Sequence, residues 1–140
     1  MSRPVAHFSR RYHFSASHRL HVDALSEEEN RATFGKCNNP FGHGHNYVVE
    51  VTVSGPVDPV TGMVVNLADL DSFARREVLD LFDYANLNTL EAFRDRVTTT
   101  ENVAIAIWRR LEGKIEPAKL YRVRVYEMPD LFADFYGEGA

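Results

Sequence analysis

The sequence predicts an α+β fold in which two long amphipathic helices cover one face of a four-stranded antiparallel sheet. Three segments alternate apolar and polar residues with the two-residue period of a strand, and two others repeat apolar residues with the helical period. The expected order of elements is β, short α, β, β, α, α, β. A length of 140 residues is typical of one domain, and no repeat or linker divides it. We therefore expect residues 1–140 to form a single domain.

The first predicted strand spans residues 7–18, and one face of it carries apolar side chains and a histidine: Phe8, Tyr12, Phe14, Ala16 and His18. A short helix is predicted next, because Ser26 and Glu29 have the spacing of a capping box and Gly35 can end the helix. The connection between the first two strands is long enough to have a functional role.

A second strand is predicted over residues 43–53, where alternate positions from His43 onward include the apolar residues. Residues 58–62 (DPVTG) have the composition of a turn. The apolar residues Met63–Val65 after this turn predict a short third strand, paired antiparallel with the second.

Two long helices are predicted from their caps and apolar stripes. Asn66 can cap the first helix, whose stripe is Leu67, Leu70, Phe73, Ala74, Val78 and Leu81. Thr98 and Glu101 form a second capping box, and Gly113 lies past the end of that helix. The stripe of the second helix is Val103, Ala104, Ile107, Trp108 and Leu111.

The last strand is predicted over residues 120–127. Its inward face is expected to carry Tyr121, Val123, Val125 and Glu127. The opposite face of the sheet is polar, with Arg11, His13, Thr52, Arg122 and Arg124. Such a face is either solvated or turned toward the water-filled interior of an oligomer.

Composition excludes several classes of function. Sixteen Lys and Arg against 20 Asp and Glu give a formal net charge of -4, so no basic stripe is available for nucleic acid. One cysteine cannot form an internal disulfide. No apolar run approaches the roughly 20 residues of a membrane span, and no signal-like segment opens the chain. We expect a cytoplasmic protein without nucleic-acid or membrane partners.

Three histidines are candidates for a metal site. His43 and His45, two residues apart at the start of a strand, point to the same side, and His18 ends the first strand on its apolar face. Three histidines with one open position form the ligand set of catalytic zinc. The alternative is that they are ordinary histidines hydrogen-bonded at strand ends, and spacing alone does not separate the two interpretations.

Two further residues could take part in chemistry. Cys37 lies in a turn beside Lys36, where the lysine and a nearby Zn²⁺ would favour the thiolate form of a base. A lone cysteine is more often a small apolar side chain of the core. Glu127 ends an inward-facing apolar run, so it either reaches water or accepts paired N–H donors from a ligand.

Four motifs resemble the 6-pyruvoyl-tetrahydropterin synthase family. They occur in order between Tyr12 and Glu127: FSASHRL (14–20), FGKCNNPFGHGHNY (34–47), GMVVNLADL (62–70) and TTENV (99–103). The five residues between Cys37 and His43 resemble the animal-type synthase of biopterin synthesis. The related 6-carboxy-tetrahydropterin synthases generally have a shorter gap. The resemblance implies the tunnelling fold, in which the sheets of a trimer close into a barrel and two trimers stack as a hexamer.

The resemblance also implies roles for individual residues. The zinc ligands would be His18, His43 and His45, the thiolate base Cys37, and the pterin anchor Glu127, with Thr100 and Glu101 as further pterin contacts. The implied reaction removes triphosphate from 7,8-dihydroneopterin triphosphate, with internal redox of the side chain. The product would be 6-pyruvoyl-tetrahydropterin.

One position departs from the family. Its catalytic Asp-His pair reads Asp83-Tyr84 here, and a phenol cannot cycle protons near neutrality as imidazole does. The chain could therefore form a 6-carboxy product, cleave the side chain to a hydroxymethyl-dihydropterin, or bind a pterin with impaired catalysis. The tail 128–140 also departs from the expected ending. Arg10, Arg19 and Lys36 are candidates for contacts with the triphosphate.

Overall fold

The fold is a five-stranded sheet covered on one face by helices, as given by a computed structural model that describes residues 3–138. The strands are β1 (Val5–His18), β2 (His43–Pro56), β3 (Ala85–Asn86), β4 (Lys119–Met128) and β5 (Leu131–Phe135). Their order in the sheet is β3-β1-β2-β4-β5, and every pairing is antiparallel except the short β1–β3 pair. The α+β class is confirmed, with one strand more than expected.

The described residues also form four α-helices: α1 (Glu27–Phe34), α2 (Leu67–Ala74), α3 (Asp80–Phe82) and α4 (Thr100–Leu111). Short 3₁₀ helices lie at Gly35–Asn38, Leu87–Thr89 and Glu91–Phe93. The capping box of Ser26 and Glu29 and the cap at Asn66 are present as expected. The cap of α4 is Thr99, whose side chain accepts from the Asn102 backbone N–H, so this helix begins one residue later than predicted. All five residues of its predicted stripe are buried. No helix within residues 3–138 meets the length and hydropathy that crossing a membrane requires.

The core lies between the helices and the inward face of the sheet. Alternate residues of β2 from Tyr47 to Val53 are buried, together with Phe14, Val123 and Val125 of the flanking strands. Because these positions follow the two-residue period of a strand, one face of the sheet is apolar. The helices contribute Leu70, Val78, Ile107 and Leu111. This core holds the ends of β1, β2 and β4 side by side.

The third predicted strand is wrong. Met63–Val65 forms no strand, and the segment before it closes on itself, with Asp58 N–H donating to the Met63 carbonyl at 3.0 Å. The physical reason is that both edges of β2 are already occupied, one by β1 and the other by β4. No backbone partner remains there for a third strand.

The two strands missed by the prediction are β3 and β5. β5 lies in the tail that departs from the expected ending, and it pairs antiparallel with β4. Phe135 packs edge-on against Trp108 at 5.5 Å between ring centroids, and Asp134 accepts two hydrogen bonds from Arg124. The tail therefore completes the sheet. The last two residues, 139–140, lie outside the described part of the chain.

Two local irregularities change which side chains face inward. A π-helical turn at Arg75–Leu79 joins α2 to α3, and it adds a residue to the turn. As a result Phe82 is buried, whereas Leu81, predicted to be inward, is 41% exposed. In β4 the register shifts opposite Thr52 and Val53, so Tyr121 leaves the predicted inward face and stacks on His7.

The opposite face of the sheet is polar, as predicted, and its charges are paired. Glu50 accepts from Arg11 at 2.9 Å and also from Arg122, although Glu50 is largely buried. Arg124 and Asp134 form a two-bond ion pair beside them. Ionic pairing of this kind keeps the charges satisfied in a half-buried environment.

Candidate active site

The three candidate metal ligands converge because of the register between β1 and β2. His18 lies directly opposite His43 in this pairing, and His45 follows two residues later on the same side of β2. The centroids of the three rings are 4.7 to 5.1 Å apart. The imidazoles therefore form one cluster at the end of the sheet.

The ring nitrogens of this cluster have the properties of metal ligands. His18 Nδ1 lies 2.7 Å from the Thr98 carbonyl, which makes Nδ1 the donor and leaves Nε2 free. His18 Nε2, His43 Nδ1 and His45 Nε2 are buried without a hydrogen-bond partner among the described residues. Ligand atoms from these residues and Glu127 lie within 4.8 Å of one another. Buried polar atoms are rarely left unpaired, so these residues fit a cation.

The protonation of two of the histidines also suits metal binding. Burial lowers the pKa of His18, although its bond to the Thr98 carbonyl acts in the opposite direction. Burial likewise lowers the pKa of His45, against the raising effect of the Glu127 charge. A lowered pKa favours the neutral imidazole, which is the form that binds a metal.

Glu127 joins the cluster from the end of β4. Its Oε1 lies 2.9 Å from His45 Nε2, and its Oε2 accepts a hydrogen bond from the Thr100 hydroxyl. The distance to His45 is short, but the two groups are not aligned as a hydrogen bond, and His45 Nε2 therefore has no hydrogen-bond partner among the described residues. The carboxylate can thus serve as a further metal ligand or accept N–H donors from a ligand.

A cavity of about 1160 Å³ opens beside the cluster. His43, His45, Glu127 and Cys37 all line it. Cys37 is half-buried, and burial raises the pKa of its thiol, with a further raising effect from the Glu127 charge. Burial and the Glu127 charge therefore outweigh the expected effect of Lys36, which was to lower the pKa of this thiol. A cation bound by the histidines would lower the pKa of the Cys37 thiol.

Asp83 and Tyr84 do not line this cavity in their own chain. Asp83 Oδ1 accepts a hydrogen bond at 2.9 Å from the backbone N–H of Ser15, a residue of strand β1. Tyr84 is 90% exposed and has a φ of 59°, in the left-handed region that favours glycine. Its ring borders a separate depression of the surface, lined also by Ser15 and His45.

The remaining predicted site residues divide between the cavity and the surface. Thr100 is buried against Glu127, whereas Glu101 is exposed and does not line the cavity. Arg19 and Lys36 line the cavity, but Arg10 pairs with Asp71 elsewhere. Sequence reasoning missed His21 and Arg31, which also line it. Both lie in the connection between β1 and β2, where no motif signals their position.

Comparison with known proteins identifies the relatives of this chain. The family model of 6-pyruvoyl tetrahydropterin synthase matches residues 7–138. The 6-pyruvoyl tetrahydrobiopterin synthase of Homo sapiens is 51% identical over 134 residues, covering 95% of this chain and 92% of that protein.

Similarity in structure agrees with similarity in sequence. The structure of Caenorhabditis elegans 6-pyruvoyl tetrahydropterin synthase superposes with a TM-score of 0.93 at 44% identity, covering 99% of both chains. The 6-carboxy-5,6,7,8-tetrahydropterin synthase of Haemophilus influenzae is 27% identical, covering 72% of this chain and 84% of that protein. The chain therefore belongs to the 6-pyruvoyl tetrahydropterin synthase family.

Proposed function

We propose that this chain is a zinc-dependent lyase that converts 7,8-dihydroneopterin triphosphate to 6-pyruvoyl-tetrahydropterin, a step of tetrahydrobiopterin synthesis. The observation that carries the proposal is the cluster of three unpaired imidazole nitrogens and the Glu127 carboxylate, two of whose imidazoles line one cavity together with that carboxylate and the Cys37 thiol. Relatives that carry the synthase name support the same reaction. The reaction eliminates triphosphate and rearranges the side chain by internal redox.

His18, His43 and His45 would hold the Zn²⁺ through the three nitrogens that lack partners. Bound there, zinc would act as a Lewis acid toward the side-chain hydroxyls of the substrate and acidify the adjacent C–H bonds. The hydrogen bond from His18 to the Thr98 carbonyl fixes the tautomer and the orientation of that ring.

Cys37 is the base in this proposal. Its side chain lines the same cavity as His43, His45 and Glu127, so its sulfur can reach a proton on the substrate side chain. The raised pKa of the thiol, due to burial and to Glu127, makes the thiolate a strong base once it forms. A thiol of this kind can accept a proton at one carbon and return it at another.

Glu127 and Thr100 orient the pterin. A carboxylate at the end of β4 can accept two N–H bonds from the amino group and ring of a pterin, in the way it pairs with a guanidinium edge. The Thr100 hydroxyl donates to Oε2 and holds the carboxylate in place. Fixing the ring in this way determines which side-chain carbon faces Cys37. Glu101 would contact the pterin only from the exposed first turn of α4.

Asp83 and Tyr84 lie outside the cavity of their own chain, so a catalytic role for them requires a neighbouring subunit. The hexamer implied by the family resemblance, a dimer of trimers, would supply such a neighbour. In this arrangement Tyr84 replaces the histidine of the relay and donates a hydrogen bond without cycling a proton. The protein would act in the cytoplasm.

Product identification tests the reaction. Zinc-loaded protein is incubated with 7,8-dihydroneopterin triphosphate, and the products are identified by mass spectrometry. A pyruvoyl product with released triphosphate supports the proposal. A 6-carboxy product or a hydroxymethyl-dihydropterin would replace it with one of the alternative reactions. Tight binding without turnover would identify an impaired pterin-binding protein, for which Tyr84 is the specific reason.

A further inference from the structure

We propose that Arg19 and Arg96 bind the triphosphate chain of the substrate, in a second cavity that continues the first. The inference rests on the proposed function, because it takes the ligand to be a pterin whose side chain ends in a triphosphate. Such a ligand is linear, with the pterin at one end, the side-chain hydroxyls in the middle and the anionic chain at the other end.

The order of the strands provides matching positions along a line. Glu127 is the last residue but one of β4, His43 and His45 lie at the start of β2, and Arg19 follows directly after β1. Because β2 lies between β4 and β1, the carboxylate and the arginine are on opposite sides of the metal cluster. Two strand spacings correspond to about 10 Å. A pterin held at Glu127 therefore directs its side chain past the histidines toward Arg19.

The second cavity continues in the same direction, beyond β1 toward β3. It measures about 370 Å³ and shares Arg19, His21, Asp23 and Pro40 with the first cavity. On its far side it is lined by Asn86 and Asn88, at and after β3, and by Arg94 and Arg96. Three arginines and one aspartate give this cavity a positive formal charge. The aspartate carboxylate lies 3.4 Å from His21 Nε2, so it faces a group other than the arginines.

Arg19 is held in position before any anion arrives. Its backbone N–H donates to Asn88 Oδ1 at 2.7 Å, and Asn88 Nδ2 donates to its carbonyl at 2.8 Å. Its side-chain Nε donates to the Asn38 carbonyl at 3.2 Å, which leaves the two terminal nitrogens of the guanidinium available. A guanidinium fixed in this way loses little freedom when it binds a phosphate.

Arg96 is the second cation of the site. It has no carboxylate within ion-pair distance in the described part of the chain, and its side chain is exposed. Arg94, by contrast, pairs with Glu91 at 2.7 Å, so part of its charge is already neutralised. Arg96 is therefore the more available partner for the outer phosphates, and paired hydrogen bonds from a guanidinium suit phosphate oxygens.

Calorimetric titration of the zinc-loaded full chain with inorganic tripolyphosphate tests the site. Arg19→Gln and Arg96→Gln should each raise the Kd for tripolyphosphate roughly tenfold or more. Arg75→Gln is the matched control, because Arg75 is an exposed arginine on the π-helical turn that lines neither cavity. Its Kd should equal that of the unsubstituted protein. Zinc content after each titration separates metal chelation from binding, since chelation would not depend on these arginines.

The binding of neopterin, which lacks phosphates, should be unchanged in Arg96→Gln, while the KM for the triphosphate substrate should rise. An unchanged tripolyphosphate Kd in Arg96→Gln would exclude Arg96 from the triphosphate site, and it would not contradict the proposed reaction. A loss of affinity confined to Lys36→Gln would also overturn it, because the anion would then stay in the first cavity. Tripolyphosphate binding that depends on Arg96 in a protein without synthase activity would support the site and reject the reaction.

Discussion

At the scale of single residues, the histidine cluster is the feature that sequence reasoning found most completely. The spacing of His43 and His45 already placed two imidazoles on one side of a strand. The position of the third histidine, His18, depends on its pairing with His43, which spacing alone could not give. The unpaired nitrogens add what the sequence could not contain, namely the direction in which each ring points.

If this cluster binds the metal as proposed, replacing one of its histidines should prevent metal binding. His43→Ala is expected to lose bound zinc, because two imidazoles and a carboxylate engaged by Thr100 leave an incomplete ligand set. The measurement is the zinc content of the purified protein by elemental analysis. His13→Ala is the control, since His13 is an exposed histidine on the polar face of β1, and it should retain one zinc per chain.

Cys37→Ala should abolish turnover and leave zinc content intact, because the thiol lines the cavity but does not belong to the histidine cluster. Loss of a general base typically slows a reaction by roughly 10²–10⁴-fold. The measurement is the rate of triphosphate release at saturating substrate. A Cys37→Ala variant with normal turnover would exclude the thiol as the base.

Tyr84→His should raise the rate of turnover if the altered relay limits the reaction. Imidazole, with a reference pKa of about 6.5, exchanges protons near neutrality, whereas a phenol with a pKa of about 10 does not. We expect an increase of roughly tenfold or more, up to the roughly 10²–10⁴-fold that general acid–base catalysis typically contributes. Tyr84→Phe is the companion variant, and an equal rate for Phe and His at this position would exclude a role in proton transfer.

At the scale of elements, the errors of prediction came from irregularities that binary patterning does not encode. The π-helical turn lets residues 70, 74, 78 and 82 face the core, although a regular helix would have turned Leu81 inward. The extra residue in β4 likewise moved Tyr121 to the polar face. Strand β5 was missed because its two-residue connection and its mixed composition carry no clear signal. These features depend on tertiary packing more than on local sequence.

The π-helical turn also positions Glu77 for an ion-pair network with Arg110 of α4 and with Lys114, which follows that helix. The Glu77 side chain is only 13% exposed. Its Oε2 lies 3.1 Å from Arg110 Nη2 and 3.0 Å from Lys114 Nζ. Hydrogen bonding to Lys114 lowers the pKa of Glu77, against the effect of desolvation. Because the pKa of Glu77 is lower in the folded state than in the unfolded state, its ionised form stabilises the fold. This contribution is complete at a pH above the pKa of the unfolded state, and it is lost as the pH falls through the pKa of the folded state.

Glu77→Gln should therefore lower stability at pH 7 by roughly 1 kcal/mol, a value discounted for the exposed ends of the two cations. The difference should shrink as the pH falls below about 4.3, the reference pKa of glutamate. Urea unfolding at several pH values measures both effects. Glu112→Gln, at the exposed end of α4, is the control, because Glu112 lies outside the ion pairs of Glu77.

At the scale of the whole molecule, the sheet has two open edges, and the strands at these edges run in directions that allow antiparallel pairing between two copies of the chain. On the side of β1 away from β2, residues 5–15 have no strand partner in the described part of the chain, because β3 pairs only with residues 16 and 17. The other edge is β5, which runs antiparallel to β1 after three successive antiparallel pairings. Pairing β5 of one chain with β1 of the next would continue the antiparallel sheet and close it into a ring.

This closure agrees with the chemistry of the two faces of the sheet. The helices cover the apolar face, so a ring of sheets would turn the paired charges of Glu50, Arg11 and Arg122 toward a common interior. Closure would also cover apolar side chains that are exposed at the β5 edge: Met128, Leu131, Phe132 and Tyr136. Three strands of the sheet were predictable from periodicity, whereas these open edges became visible only with the strand order.

A charge placed at the β5 edge should therefore disrupt assembly. A hexamer has a mass of about 96 kDa, six times the 16.0 kDa chain, and light scattering coupled to gel filtration measures it. Leu131→Glu, at a site that is 46% exposed in the single chain, should shift the mass toward smaller species, because burying an unpaired carboxylate is costly. Val60→Glu, 92% exposed in the turn after β2, is the matched control and should remain hexameric. If Leu131→Glu keeps the mass of the hexamer, β5 does not form the contact between subunits. If the unsubstituted chain has the mass of a monomer, no neighbouring subunit offers a cavity to Asp83 and Tyr84, and their proposed catalytic roles are excluded.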